Sequence, residues 1–385
     1  SAIPNPERVI GLHFFNPAPV MKLVEIIRGL KTSAAIADAV FELMKGWNKV
    51  PVRAKSTPGF IVNRVARPYY AEAFRALQEN ATTPEQLDYI MRECGRFAMG
   101  PCELTDLIGQ DVNFSVTQSV YQEFFYEPRY RPSLIQKELV DAGCYGRKSG
   151  QGFYDYAQAK PAPVYELPVC YAKLLNKLKV TVKGEWLHSL ALIERLKQAS
   201  HVELSFQVAE QNEILIGDLS LRLSLGESVE LAYPHDPVVL MDWHADWSNA
   251  KAIPVVASPA CSEEQRQAAE LFLIGMNVIP IWSKDHPGLY VIRSIAMLVN
   301  EACEAVLHDI ASEQDIDSAM KYGVNYPCGP FDWADRIGYY TILQILENMY
   351  HVYGEDRYRT SIYLAKKAVQ GHAQKTQQQP LRVAG

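Results

Sequence analysis

The sequence predicts a chain in which α/β segments alternate with all-α segments. Three observations predict it. Residues 9–52 alternate between short apolar runs and one helical stretch, the texture of an α/β unit. From Pro58 the pattern turns to helical periodicity. The whole pattern then occurs a second time. With Pro58-Gly59 set against Pro287-Gly288, an offset of 229, residues 31–109 align without a gap and show 20 identities in 79 positions. They include Gly46/Gly275, Asn48/Asn277, Arg64/Arg293, Glu72/Glu301, Asp88/Asp317 and Gly100-Pro101/Gly329-Pro330.

The elements follow in order. Val9–Phe15 reads as a buried strand that ends in the loop Asn16-Pro17-Ala18-Pro19, and Leu23–Ile27 as its neighbour. Residues 33–46 carry Ile36, Val40, Leu43 and Met44 on one helical face, with Gly46 as the stop. Lys49–Val52 is a third strand. Pro58 suits a helix start, because its missing N–H is not needed in the first turn. Helices are expected at 58–79, 84–95, 104–126 and 133–142, with Thr83 capping the second. Gly146–Gly152 is a tight turn, and residues 157–176 form a linker. Beyond it, strands are expected at 180–182, 201–206, 213–216, 238–241, 253–257 and 278–282. Helices are expected at 186–199, 262–275, 287–308, 313–322 and 333–352. The tail 371–385 is polar and expected to be disordered.

The two copies differ at three polar positions. His13 falls opposite Asp242, Glu25 opposite Pro254 and Asn63 opposite Ile292. His13 at the end of one strand and Glu25 on the next can come within hydrogen-bond reach. A carboxylate on one imidazole nitrogen fixes the tautomer and stabilises the imidazolium, leaving the other nitrogen to take a proton. Asn63, early in a helix, offers an amide to a substrate oxygen. Such a set suits removal of a hydroxyl proton while hydride leaves the same carbon. Each residue also has a plainer reading: a packed histidine, a strand-surface glutamate, a helix-surface amide. Loss of all three from a sister copy that keeps its turns favours chemistry in the first half.

Composition excludes several classes. Net charge is −6, with no basic patch, which argues against nucleic acid. No apolar run is long enough for a membrane span. Seven cysteines, odd in number and without CxxC, fit reduced thiols in a cytoplasmic protein.

The stretch Gly11–Glu25 resembles the signature of the NAD-dependent 3-hydroxyacyl-CoA dehydrogenases. Ser56–Arg64 and Gly146–Tyr154 match the same family in the same order. Residues 5–156 carry the closest resemblance. The whole chain resembles the long bacterial form from phenylacetate catabolism, whose substrate is 3-hydroxyadipyl-CoA or 3-hydroxybutyryl-CoA. The resemblance implies His13 as catalytic base, Glu25 as its carboxylate partner and Asn63 as a substrate contact. It implies Asn16 and Lys148 as residues that touch NAD. It also implies an acyl-CoA partner and a homodimer formed through helical domains. In domains, it implies the C-terminal end of a Rossmann domain (1–55), a helical dehydrogenase domain (56–156), a degenerate Rossmann-like domain (177–284) and a second helical domain (285–370). The family's Gly-x-Gly-x-x-Gly turn would lie upstream of residue 1. The expectation is therefore a fragment, inactive alone, with an incomplete NAD site.

In the second half only Gly184 remains of a nucleotide-binding glycine set. Trp186 would block a phosphate and Glu185 would repel it, which predicts a copy kept for packing. The helix stripe Ile295, Leu298, Val299 and Ala302 should cover the first helical unit in a pseudo-dimer. A dicarboxylic substrate would need a cation; Arg64 and Arg67 are candidates, with surface salt bridges as the plainer reading. Two other functions stay open: an acyl-CoA-binding module without redox chemistry, and a structural relative. Binding of acetoacetyl-CoA separates the structural relative from the rest.

Overall fold

The computed structural model describes residues 4–158 and 177–378. The linker expected at 157–176 and the last residues of the tail lie largely outside them. The first half opens with β1 (Gly11–Phe14), β2 (Leu23–Arg28), α1 (Ala34–Gly46) and β3 (Val50–Lys55). β1 pairs antiparallel with β2, and β2 parallel with β3. Alternation decides which face each β2 residue sees. Val24 and Ile26 pack on Met44 of α1. Leu23 and Ile27 join the main core on the other face, and Glu25 points the same way as they do. β1 is less buried than expected, its residues exposed or half-buried. Ser33 caps α1. The chain turns after α1 at Asn48, which holds the left-handed φ of 58°, rather than at Gly46.

The helical unit follows: α2 (Val62–Val65), α3 (Arg67–Gln78), α4 (Pro84–Glu93), α5 (Pro101–Ile108), α6 (Gln110–Glu123) and α7 (Leu134–Asp141). Two expected helices are each split. Pro58 opens a turn, not a helix, because Phe60 takes φ 47° and helical geometry begins only at Val62. Pro68 then separates α2 from α3, since it has no N–H to continue the ladder. The expected 104–126 helix breaks at Gly109, φ 101°, a conformation that disfavours a Cβ. Thr83 caps α4 through the Gln86 N–H as expected.

The second half holds a seven-stranded mixed sheet: β4 (Leu178–Lys183), β5 (Val202–Gln207), β6 (Glu213–Ile216), β7 (Leu219–Leu223), β8 (Val238–Met241), β9 (Ala252–Ala257) and β10 (Ile279–Trp282), in the order β10-β9-β8-β7-β6-β4-β5. β7 was absent from the sequence reading; a two-residue turn at Gly217-Asp218 hides the β6–β7 hairpin. Helices α8 (Leu190–Gln198), α9 (Val229–Ala232) and α10 (Glu263–Gly275) lie among these strands. The second helical unit is α11 (Val291–Leu307), α12 (Glu313–Gly323), α13 (Pro330–Ile337), α14 (Tyr339–Tyr353) and α15 (Ile362–Gln378). The expected 333–352 helix is split at Gly338, φ 93°, which mirrors Gly109. α15 continues to Gln378, so the first part of the expected disordered tail is helical.

The copies keep their geometry. β8, β9 and β10 repeat the antiparallel–parallel arrangement of β1, β2 and β3. The left-handed positions recur at the same offset: Asn48/Asn277, Phe60/Leu289 and Asn80/Asp309. Asp88 accepts from the N–H groups of Cys102 and Glu103, and Asp317 from those of Phe331 and Asp332.

The helical units pack on each other within the chain. α3 lies against α11, and Ile295, Leu298, Val299 and Ala302 are fully buried. The contact is reciprocal. Arg64 Nε bonds Glu301 and Arg293 Nε bonds Glu72, both at 2.6 Å. Tyr130 adds its hydroxyl to Glu301 and Tyr358 adds its own to Glu72. This is the isologous pattern of a two-fold dimer, made here by one polypeptide. Arg64 and Arg67 are buried, 1% and 5% exposed, which corrects the surface-salt-bridge reading.

Candidate active site

His13 is the third residue of the short β1, and the antiparallel register sets it directly across from Glu25. The imidazole Nδ1 lies 2.5 Å from Glu25 Oε2. Glu25 is fully buried, while the His13 side chain keeps 32% of its surface. The other carboxylate oxygen accepts from two backbone N–H groups, Ile61 at 2.9 Å and Val62 at 3.0 Å. One carboxylate thus fastens a strand, an imidazole and the start of α2. Asn63 is the second residue of α2, so the same anchor sets its position. Phe15 and Phe60 flank the imidazole, with ring centroids 4.7 and 5.7 Å away.

Two open clefts meet here. One, of about 420 Å³, is lined by residues 9–13 with Ile27, Gly29, Ser56 and Phe60. The other, of about 570 Å³, is lined by residues 56–60, Asn63 and α6 residues that include Ser115, Ser119 and Glu123. Ser56 and Phe60 belong to both, so His13 and Asn63 face adjoining spaces across the Phe60 ring. Neither Ser56 nor Phe60 was singled out from the sequence. The signal was present in the Ser56–Arg64 motif that holds Asn63.

Asn16 is exposed in the loop that leaves β1. Lys148 sits on the 146–152 loop, where its Nζ pairs with Asp111 at 2.6 Å. No hydrogen bond among the described residues ties Lys148 to His13 or Asn63. For NAD, the described residues offer a partial fit. His13, Asn16 and the cleft could face a nicotinamide ring. No described strand leads through a Gly-x-Gly-x-x-Gly turn into a helix, the arrangement that would cradle a pyrophosphate.

In the second half the residues at the positions of His13, Phe60 and Asn63, which are Asp242, Leu289 and Ile292, are buried. Asp242, at the position of His13, is fully buried. It accepts from the N–H groups of Tyr290, Val291 and Ile292 at 2.8–3.0 Å. The carboxylate that anchors the helix has moved to the neighbouring strand, and Pro254 stands where Glu25 stood. Burial pushes the Asp242 carboxyl up to about 6. At the β4–α8 turn, Gly184 holds φ 86°, and a Cβ there would meet Asn212 Oδ1 at 2.2 Å. Trp186 is 2% exposed, and its indole donates to the Lys183 carbonyl. Asn212 and Trp186 fill the place a phosphate would approach.

Among the described residues, no group of His, Cys, Asp and Glu could hold a metal ion. The six described cysteines are free. No described helix is long and apolar enough to cross a membrane.

Comparison with known proteins agrees with this architecture. Residues 1–57 match the NAD binding domain of 3-hydroxyacyl-CoA dehydrogenase. Residues 59–156 and 288–382 both match its C-terminal domain. Residues 221–287 match the reduced Rossmann-fold domain of 3-hydroxybutyryl-CoA dehydrogenase. The chain is 43% identical to 3-hydroxyadipyl-CoA dehydrogenase of Escherichia coli over 95% of its own length and 71% of that protein's. It is 43% identical to 3-hydroxybutyryl-CoA dehydrogenase of Clostridioides difficile over 40% of its length, about half (55%) of that relative. A crystal structure of 3-hydroxybutyryl-CoA dehydrogenase from E. coli superposes with a TM-score of 0.84 at 40% identity, covering 97% of this chain and 73% of that one. The chain belongs to the 3-hydroxyacyl-CoA dehydrogenase family, in the long form that carries the C-terminal domain twice.

Proposed function

We propose that the first half oxidises the hydroxyl of an L-3-hydroxyacyl-CoA to the 3-oxo ester. The observation that carries this reading is the His13–Glu25 contact at 2.5 Å beside an open cleft. Glu25 occupies Nδ1, so Nε2 is left to take the hydroxyl proton. The buried carboxylate stabilises the imidazolium that results. Asn63 donates its amide to a substrate oxygen and orients the ester. Bound NAD supplies the hydride acceptor, and Asn16 and Lys148 are the residues proposed to contact it. For Lys148 to do so, its pairing with Asp111 must open. Among the described residues no glycine turn offers a cradle for the phosphate end of NAD.

The relative named for 3-hydroxyadipyl-CoA supports that substrate. A second reading, 3-hydroxybutyryl-CoA, is favoured by the Asn63 cleft. Its lining holds no Arg or Lys, and Glu123 would repel a distal carboxylate. We further propose that the internal α3–α11 contact replaces the expected homodimer through these helices, since that face is already covered.

Calorimetric titration of acetoacetyl-CoA and 3-oxoadipyl-CoA into the chain tests the reading. Binding that weakens in Asn63→Ala and His13→Ala is expected. Equal affinity in all three proteins removes the assignment, and the ratio of the two ligands chooses the acyl chain.

A further inference from the structure

Arg67 is a buried cation that lacks a buried anion. It is 5% exposed. Its Nη1 donates to Thr117 Oγ1 at 2.9 Å, and its guanidinium lies 4.9 Å from the centre of the Tyr70 ring. Its Nε has no hydrogen-bond partner. Among the described residues no carboxylate forms an ion pair with it. Burial pulls its pKa down. Buried charges are ordinarily paired.

The side chain lines a small cavity of about 20 Å³ together with Thr117, Arg129, Ser133 and Gln136. Arg129 Nε and Nη1 and Ser133 Oγ are also buried without hydrogen-bond partners. Arg129 is balanced by carboxylates 3.6–4.0 Å away, of Glu301, Glu304 and Glu127, so Arg67 alone of the two cations lacks one, and the space suits one water-sized guest.

The sister half shows that the fold does not need this polar set. Ala296 stands for Arg67 and Leu346 for Thr117. After a connection one residue shorter, Leu364 stands for Gln136. All three are fully buried. At these three positions the sister packing is hydrocarbon, although Arg64, Arg129 and Ser133 keep their counterparts in Arg293, Arg357 and Ser361, and Asn300, which accepts from the Ser361 N–H, stands for Ala71.

We propose that this cavity is a binding site for one small monovalent anion of halide size, chloride in ordinary solution, acting as the counter-ion of Arg67. The guanidinium N–H groups and the Ser133 hydroxyl donate to it. A water molecule would satisfy those donors and leave the charge unbalanced. Arg67 opens α3 one turn beyond Asn63, so the anion steadies the helix start next to the cleft. The proposal does not rest on the catalytic reading.

Crystals of the full chain grown in sodium bromide, measured at the bromine edge, test it directly. An anomalous peak in contact with Arg67 is expected. In solution, at constant ionic strength, replacing gluconate with chloride should raise the melting midpoint in a saturable way. Arg67→Met should remove that response and be no less stable than the parent in gluconate. Absence of a bromide peak with midpoints indifferent to chloride would overturn the site, as would an undiminished chloride response in Arg67→Met. Should that variant fail to fold, the bromide map decides alone.

Discussion

The two halves of this chain solve one local problem with different strands. In both, a helix start must be tied to the edge of a small sheet by a carboxylate. In the first half Glu25 of β2 does this and has an oxygen to spare for His13. In the second, Asp242 at the end of β8 spends both oxygens on the backbone. The difference lies in how much of the carboxylate remains uncommitted. The first anchor is shared with a half-buried imidazole; the second is saturated and sealed.

The largest expected effect sharpens that contrast. His13→Ala should lower NADH formation from a 3-hydroxyacyl-CoA by about 10²–10⁴-fold, in any polypeptide of this sequence that also holds the phosphate-binding turn. Asp242→Asn should leave the rate nearly unchanged once the protein is folded. Comparable losses in the two variants would break the division of labour.

Next in size are the reciprocal pairs. Arg64→Met leaves Glu301 with Arg129 and Tyr130, and Arg293→Met leaves Glu72 with Arg357 and Tyr358, so each buried carboxylate loses its nearest cation but keeps a more distant one. Each change should cost up to about 3 kcal/mol of unfolding free energy, below the loss expected for a carboxylate left with no cation. The two costs should agree, because the contacts are copies of each other. Denaturant melts that differ by several kcal/mol would show that the halves are not energetically equivalent.

Asp242→Asn itself should cost about 1–3 kcal/mol, because an amide cannot accept from every N–H that the carboxylate serves. It should also alter the pH profile. The Asp242 carboxyl sits at about 6 in the fold against an ordinary 3.8, so the folded chain holds this proton more tightly than the unfolded one. Its contribution is fully present below 3.8 and is lost as pH rises through 6. Melting midpoints of the variant should therefore decline less steeply across that window. A slope equal to the parent's would mean that Asp242 is charged throughout.

The smallest expected effect is a null result. Ile292→Asn restores the amide that the second half lacks, but places it where Ile292 is 2% exposed and where the buried Asp242 stands in the position of His13. Added to His13→Ala, it should recover no turnover. Recovery would refute the view that this copy serves packing.

Much of this was legible in the sequence, for identifiable reasons. The repeat showed because left-handed turns at Asn48/Asn277 and the paired Arg and Glu residues tolerate few replacements. His13 and Glu25 could be paired because a strand, a loop and a strand with apolar neighbours set their register. Helix breaks were less legible. Gly109 and Gly338 lie inside apolar patterns that continue on both sides, and the pattern hides the change of direction. The β6–β7 hairpin was missed because its turn is only two residues long. Asp242 was read as the loss of His13, since a column-by-column alignment cannot see that residues opposite each other on paired strands may trade a role. The burial of Arg67 was not legible either: nothing in a helical sequence tells an inward-facing arginine from an outward-facing one.

The α3–α11 contact has one more consequence. In an assembly of two identical subunits, every substitution arrives on both sides of the symmetry axis at once, so each side must tolerate what the other needs. Tandem copies in a single polypeptide remove that constraint. They also stay at high effective concentration however dilute the protein becomes. One copy can then drift toward a purely supporting part, while the other keeps a polar interior that a symmetric partner would have had to duplicate.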